Sequence, residues 1–197
     1  ILAAGLGKRM NPITLKNPKP LIKIGNKNLL ERAIELLIGH GVKEIAINVH
    51  HLADQIKDFI NQKKYKVKII ISDEQNTLLD TGGGVLQATR SFKEPFVVIN
   101  PDTLWNKSYF NELKVLEDLY FKKKKSCLLL VNKNLSFDSS FKGDFNLNAN
   151  IVSRDDSNEF IFTGLQILDQ SVFNSIKDKI FSMNKISDNL IKNKILF

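Results

Sequence analysis

Cysteine is almost absent from these 197 residues, with Cys127 alone. No intramolecular disulfide is possible, and a reducing compartment fits such usage. Cys127 sits in the run Leu128-Leu129-Leu130-Val131 and reads as a small core residue. Proline and glycine are sparse, at 5 and 10 residues, and they gather into no linker. Without a hinge, an internal repeat or a low-complexity stretch, nothing divides the chain. Long apolar runs are missing too: none approaches the ~18 residues of a membrane span. The opening Ile1-Leu2-Ala3-Ala4-Gly5 lacks the charged-then-apolar order of a targeting segment. A soluble, cytoplasmic protein is the expectation.

Acidic residues are the minority, 21 against 29 basic, for a net charge of +8. That balance suits an anionic substrate, a nucleic acid, or simply a composition rich in Lys, Asn and Ile. The densest basic run, Lys122 to Lys125, closes an apolar-periodic stretch just before a strand and reads as a solvated helix end. No aromatic residues interleave with it as they do in single-strand binders, so a nucleic-acid partner is not expected. At 43% hydrophobic, the chain can bury one substantial core. A single domain over 1–197 is predicted, and the abrupt start and finish suggest that the natural protein extends beyond both ends.

Short β-like runs alternate with helical patterns. Strands are predicted at Ile1–Ala4, Glu44–Val49, Val67–Ser72, Phe96–Asn100, Ser126–Val131 and Phe160–Leu168. Helices are predicted at Asn28–Ile38, Ala53–Asn61, Gly84–Arg90, Tyr109–Lys122 and Lys185–Lys194, the first stopped by Gly39 and Gly41. The stretch through Asn150 shows no clear period. This series implies an α/β fold: a Rossmann-like, doubly wound, mostly parallel sheet with helices on both faces.

In such a sheet ligands bind beyond the carboxyl ends of the strands. The first strand runs there into Leu2-Ala3-Ala4-Gly5-Leu6-Gly7-Lys8-Arg9-Met10. Small residues at Ala3, Ala4, Gly5 and Gly7 let main-chain N–H groups approach a phosphate, and Arg9 and Lys19 add charge. Pro18 and Pro20 fix the backbone around Lys19. A dinucleotide fingerprint needs Gly or Ala where Met10 stands, and a Walker loop needs Ser or Thr where Arg9 follows Lys8, so neither applies. Further along, Asp80-Thr81-Gly82-Gly83-Gly84 joins a strand to a helix, where glycines permit close contact with a flat ligand and free N–H groups can read its edge. Asp102 follows the strand Phe96–Asn100, where a carboxylate can hold a hard divalent cation against phosphate oxygens.

Leu-x-x-Gly-x-Gly-x-Arg-Met, with Pro-Lys-Pro-Leu about ten residues on, resembles the signature of the sugar-1-phosphate nucleotidyltransferases. The likeness continues through Asn48 to Ile56, Leu79 to Gly84, Asn100-Pro101-Asp102 and Phe162-Thr163-Gly164. The triple glycine looks most like the uridylyltransferase branch of peptidoglycan recycling, which acts on N-acetylmuramate 1-phosphate. The resemblance implies UTP and a sugar 1-phosphate as partners, Mg²⁺ as cofactor, and a monomer or homodimer working away from membranes. It places Leu2, Ala3, Ala4, Gly5, Gly7, Asp80, Thr81, Gly82 and Gly83 around the nucleotide. Asn100, Thr163 and Gly164 fall near the sugar phosphate, Asp102 on the metal, Arg9 on the β and γ phosphates, and Lys19 on the reacting phosphates.

The chain departs from the family at Pro101, where a small residue usually precedes the metal aspartate, and at Asn158-Glu159-Phe160, where many relatives carry Glu-Lys-Pro. The second metal aspartate of relatives, in a Trp-x-Asp-x-Gly-Thr-like segment, does not occur before Phe197. His50 and His51 are read as packing residues, since nothing pairs them at metal-ligand spacing. A guanylyltransferase making GDP-mannose, a non-catalytic nucleotide-binding module and a basic nucleic-acid binder remain as alternatives.

Overall fold

The computed structural model describes residues 1–74, 76–138 and 140–197. A small hairpin, β1 (Lys23–Ile24) and β2 (Lys27–Asn28), leads into α1 (Leu29–Gly39), β3 (Glu44–Val49), α2 (Ala53–Lys63) and β4 (Lys68–Asp73). Then follow α3 (Asp80–Ala88), β5 (Phe96–Ile99), α4 (Phe110–Lys123) and β6 (Cys127–Asn132). A second hairpin, β7 (Asn146–Asn148) and β8 (Ile151–Ser153), precedes β9 (Phe160–Leu168) and α5 (Met183–Lys192). Asn28 caps α1 by accepting the Glu31 N–H at 2.7 Å, and Ser182 caps α5.

The alternation of strand and helix builds the expected α/β layers. β3 and β4 pair in parallel, from Glu44 opposite Lys68 to Val49 opposite Asp73. Leu2 makes a parallel bridge to Asn48 and donates its N–H to Ile99 O at 3.1 Å, linking β3 with β5. β9 lies between β5 and β6 and runs against both, so those two share a direction. The strand expected over Ile1–Ala4 shrinks to that single bridge at Leu2. Its next N–H, on Ala3, turns to the Asn48 side chain at 2.7 Å instead of to a backbone carbonyl.

Successive residues along these strands face opposite layers. Ile99, Leu165, Ile167 and Cys127 join Ile34 of α1, Ile56 of α2 and Leu113 of α4 in one core. Phe96, Val98, Leu168 and Leu128 point the other way, against Val85 of α3 and Ile186 and Leu190 of α5. Burying each such side chain contributes about 1.5–3 kcal/mol, so the period-two pattern fixes which helices cover which face. Lys122 and Lys123 occupy the exposed last turn of α4, and Lys124 caps it in the left-handed region.

Two further expectations need correction. The stretch without a clear period holds β7, and β8 follows directly after Asn150 to pair with it; both strands are too short to show an alternation. α3 begins at Asp80, four residues before the expected Gly84, because its glycines are packed helix residues and not a loop.

Candidate active site

Three chain segments at one end of the sheet converge on a cleft of about 790 Å³. The first is the loop after the Leu2 bridge, the second leads from β4 into α3, and the third follows β5. The first loop is shaped by Gly7, whose φ of +63° is one that other residues rarely adopt. A Cβ there would also lie 2.8 Å from Thr14 Cγ2. Thr14 is fully buried, with its hydroxyl 3.0 Å from Gly7 O, so the loop folds onto it.

Among the described residues, the N–H groups of Ala4, Gly5, Leu6 and Gly7 have no hydrogen-bond partner. Four successive unpaired donors at the mouth of a cleft form a concavity suited to an anion. Arg9 lies beside them without an acidic partner among the described residues. Lys19 stands in a short turn with Pro18 before it and Pro20 after it. Its ammonium reaches Asp102 Oδ2 at 2.5 Å, with the two side chains 26% and 40% exposed.

The third segment is anchored from below. Asn100 donates its N–H to Gly164 O at 2.8 Å, and its carbonyl accepts the Trp105 indole N–H at 2.7 Å. Trp105 is fully buried and meets Tyr109 edge-on at 4.9 Å. Thr103 Oγ1 donates to Thr163 O at 2.8 Å. The turn carrying Asp102 is therefore held at fixed height above β9.

The cleft brings together Leu2, Ala3, Ala4, Gly5, Gly7, Arg9, Lys19, Asp80, Thr81, Asn100 and Asp102. Gly82 and Gly83 lie outside it, and their expected free N–H groups are not free. Both donate to Phe181 O, at 2.8 and 3.0 Å. A Cβ at Gly82 would strike the Phe181 ring at 2.4 Å, and one at Gly83 the Lys179 carbonyl at 2.4 Å, so these glycines serve close packing. Thr163 and Gly164 also lie behind the cleft and not in it. Thr163 Oγ1 donates to Leu129 O, while Gly164, at φ +87°, lets Asn100 approach to 2.7 Å of where a Cβ would stand. Their closeness to the site is structural support for Asn100.

His50 and His51 take backbone partners, Glu74 O at 2.8 Å and Thr14 O at 2.7 Å. Among the described residues no group of three or more His, Cys, Asp or Glu could cage a metal. Asp102, beside unpaired anion-binding donors, offers a different donor set: one carboxylate that a hard cation can share with phosphate oxygens and water. Residue-level reading missed Glu74, Thr103 and Trp105. Asn48 stood in a recognised motif, yet its hydrogen bond to Ala3 could not be inferred; a lone Glu after a strand gives no signal at all.

The α/β layers have the nucleotide-diphospho-sugar transferase fold, with the cleft at one end of their strands. The family model for nucleotidyl transferase matches residues 1–134, and the chain belongs to that family. It is 29% identical over 192 residues to N-acetylmuramate alpha-1-phosphate uridylyltransferase of Caulobacter vibrioides, covering 93% of this chain and 79% of that protein. It is 34% identical over 108 residues to the mannose-1-phosphate guanylyltransferase catalytic subunit beta of Drosophila melanogaster, covering 53% of this chain and 29% of that protein. The fold matches inositol-1-phosphate CTP transferase from T. maritima with a TM-score of 0.78 at 17% identity, over 99% of this chain and 81% of that one. No helix among the described residues is long and apolar enough to cross a membrane.

Proposed function

We propose that this cleft joins UTP to N-acetylmuramate 1-phosphate and releases pyrophosphate, in a cytoplasmic step of peptidoglycan recycling. The observation that carries this reading is the row of unpaired N–H groups from Ala4 to Gly7, flanked by Arg9 and by the Lys19–Asp102 pair in one cleft. The relative from Caulobacter supports the choice of sugar and base.

An oxygen of the sugar 1-phosphate attacks the α-phosphorus in line, and the bond to the pyrophosphate breaks on the opposite side. No protein nucleophile is needed, because the attacking phosphate is positioned directly. The nest and Arg9 hold the β and γ phosphates. Lys19 leaves Asp102 for the reacting phosphates, where a preorganised cation stabilises charge that grows in the transition state. Asp102 would hold Mg²⁺, which supplies further neutralisation of the phosphate oxygens. Asn100 lines the cleft and would meet the sugar phosphate there; its side-chain amide has no hydrogen-bond partner among the described residues.

GTP with mannose 1-phosphate is the competing pair, favoured by the likeness to the guanylyltransferase. The glycine run gives no reason to exclude it, since Gly82 and Gly83 spend their N–H groups on Phe181 O. Pyrophosphate release is therefore measured with UTP and GTP, each against N-acetylmuramate 1-phosphate and mannose 1-phosphate, with Mg²⁺. Turnover is expected with UTP and N-acetylmuramate 1-phosphate. Preference for GTP and mannose 1-phosphate overturns the substrate assignment, and no release with any pair overturns the activity.

A further inference from the structure

Glu74 follows β4 and is only 3% exposed, an unusual place for a carboxylate. Among the described residues it has no basic ion-pair partner; its oxygens are satisfied by neutral donors. Oε1 accepts from Asn48 Nδ2 at 2.7 Å, and Oε2 accepts from the Leu79 N–H at 3.0 Å. The two donors serve different walls of the cleft: Asn48 itself lines it, and Leu79 adjoins it. Asn48 continues through its Oδ1, which accepts the Ala3 N–H at 2.7 Å, immediately before the unpaired N–H row. Leu79 immediately precedes Asp80 and Thr81, which line the cleft.

The third glycine of the run belongs to the same arrangement. A Cβ at Gly84 would lie 2.6 Å from Asn48 Nδ2 and 2.7 Å from Glu74 Oε1, so only glycine lets α3 rest on this bonded pair. The backbone of Glu74 is fixed as well: its N–H donates to Val49 O at 2.8 Å and its carbonyl takes the His50 ring.

We propose that Glu74 is a positioning residue for the nucleoside triphosphate. Its buried carboxylate ties the main-chain nest to the Asp80–Thr81 wall, acting through Asn48 and Leu79 without touching substrate. The inference rests on the reading that a triphosphate fills this cleft. A displacement near 1 Å in such a site costs about 100-fold in rate, which gives a rigid tie between the walls its value.

Glu74→Gln keeps the shape but leaves one oxygen and one amide nitrogen where two acceptors are required. It can accept from Leu79 or from Asn48, and not from both. Calorimetric dissociation constants for UTP and GTP, without sugar phosphate, are expected to show the bound triphosphate weakened about tenfold or more. Its KM rises in step, while the KM for sugar 1-phosphate stays within about twofold. The double variant E74Q/N48D restores every bond: the carboxylate moved to position 48 accepts from Ala3 and from the new amide at 74, whose oxygen accepts from Leu79. Affinity is expected to return toward that of the unaltered protein, a recovery that loss of a buried charge alone does not explain.

Unchanged triphosphate affinity in E74Q overturns the proposal, as does equal weakening toward both substrates. A double variant no better than E74Q overturns it too. If circular dichroism finds E74Q unfolded, the double variant carries the test, and a folded double variant with poor triphosphate affinity is the contrary result. Absence of triphosphate binding by the unaltered protein overturns the functional reading and this inference together; normal binding there with an unaffected E74Q overturns the inference alone.

Discussion

The ammonium of Lys19 lies 2.5 Å from a carboxylate oxygen of Asp102, though 83 positions separate them in the chain. Both side chains are partly exposed, at 26% and 40%. Such a pair contributes at most about 1 kcal/mol to stability. Its importance is positional: the pair sets both groups in the cleft, where in the proposed reaction phosphate and Mg²⁺ would separate them. Pro18 and Pro20 hold one partner, and the Asn100 hydrogen bonds to Gly164 and Trp105 hold the other.

Removing either member should therefore spare the fold and stop the chemistry. Asp102→Asn and Lys19→Ala are each expected to lower Mg²⁺-dependent pyrophosphate release by about 100-fold or more. Tm should move by no more than about 2–4 °C. A coupled pyrophosphate assay beside thermal unfolding checks both statements, and turnover near that of the unaltered protein counts against the roles assigned.

Arg9 has no acidic partner among the described residues, so its loss removes no native ion pair. A hydrogen bond to a charged group is worth about 1.5–3 kcal/mol, or roughly tenfold to 100-fold in binding. Arg9→Ala is expected to raise the KM for the triphosphate by that range with unchanged urea unfolding. An unaltered KM removes Arg9 from the site.

Trp105, the one tryptophan, supports the Asn100 carbonyl from beneath the cleft. Saturating triphosphate with Mg²⁺ is expected to change its emission, giving a binding curve without any label. Trp105→Phe leaves that carbonyl without the indole donor, at a cost of about 1–3 kcal/mol. A lowered urea midpoint by circular dichroism is the expected result, and an unchanged midpoint denies the anchoring role.

Burial pushes the Cys127 thiol up to about 11 from an ordinary value of 9.0. A raised folded value means that the unfolded chain loses its proton first. This group's contribution is thus complete below pH 9 and is lost as pH rises through about 11. At pH 8 a thiol reagent should label the native protein only as fast as it opens, and immediately in denaturant. Rapid labelling of the native protein speaks against the buried thiol.

The strands with strong apolar patterns were legible from residues alone. Glu44–Val49 and Phe160–Leu168 form over the predicted spans, because Ile45, Ile47 and Val49 fill one core while Phe160–Leu168 sends Leu165 and Ile167 to that core and Phe162 and Leu168 to the other. β7 and β8 escaped notice since three residues are too few to establish a period. In the site, Arg9, Lys19, Asp80, Thr81, Asn100 and Asp102 were all named in advance and share one cleft. Gly82 and Gly83 were assigned to ligand contact and pack instead on the 179–181 segment. A glycine's spacing says that something comes close, but not whether that neighbour is a ligand or the protein itself.

By itself the sequence determined the alternation of strands and helices, the impossibility of an intramolecular disulfide with one cysteine, and the small-residue loop with its cations. These are local properties, set by side-chain periodicity and backbone freedom over a few residues. Only the tertiary structure decided that Lys19 meets Asp102, that Trp105 carries Asn100, and that Glu74 joins Asn48 to Leu79. Lys19–Asp102 and Glu74–Asn48 link segments 83 and 26 positions apart, and even the contacts five positions apart, Trp105–Asn100 and Glu74–Leu79, depend on turns that the stacked layers hold in place, which no local pattern encodes.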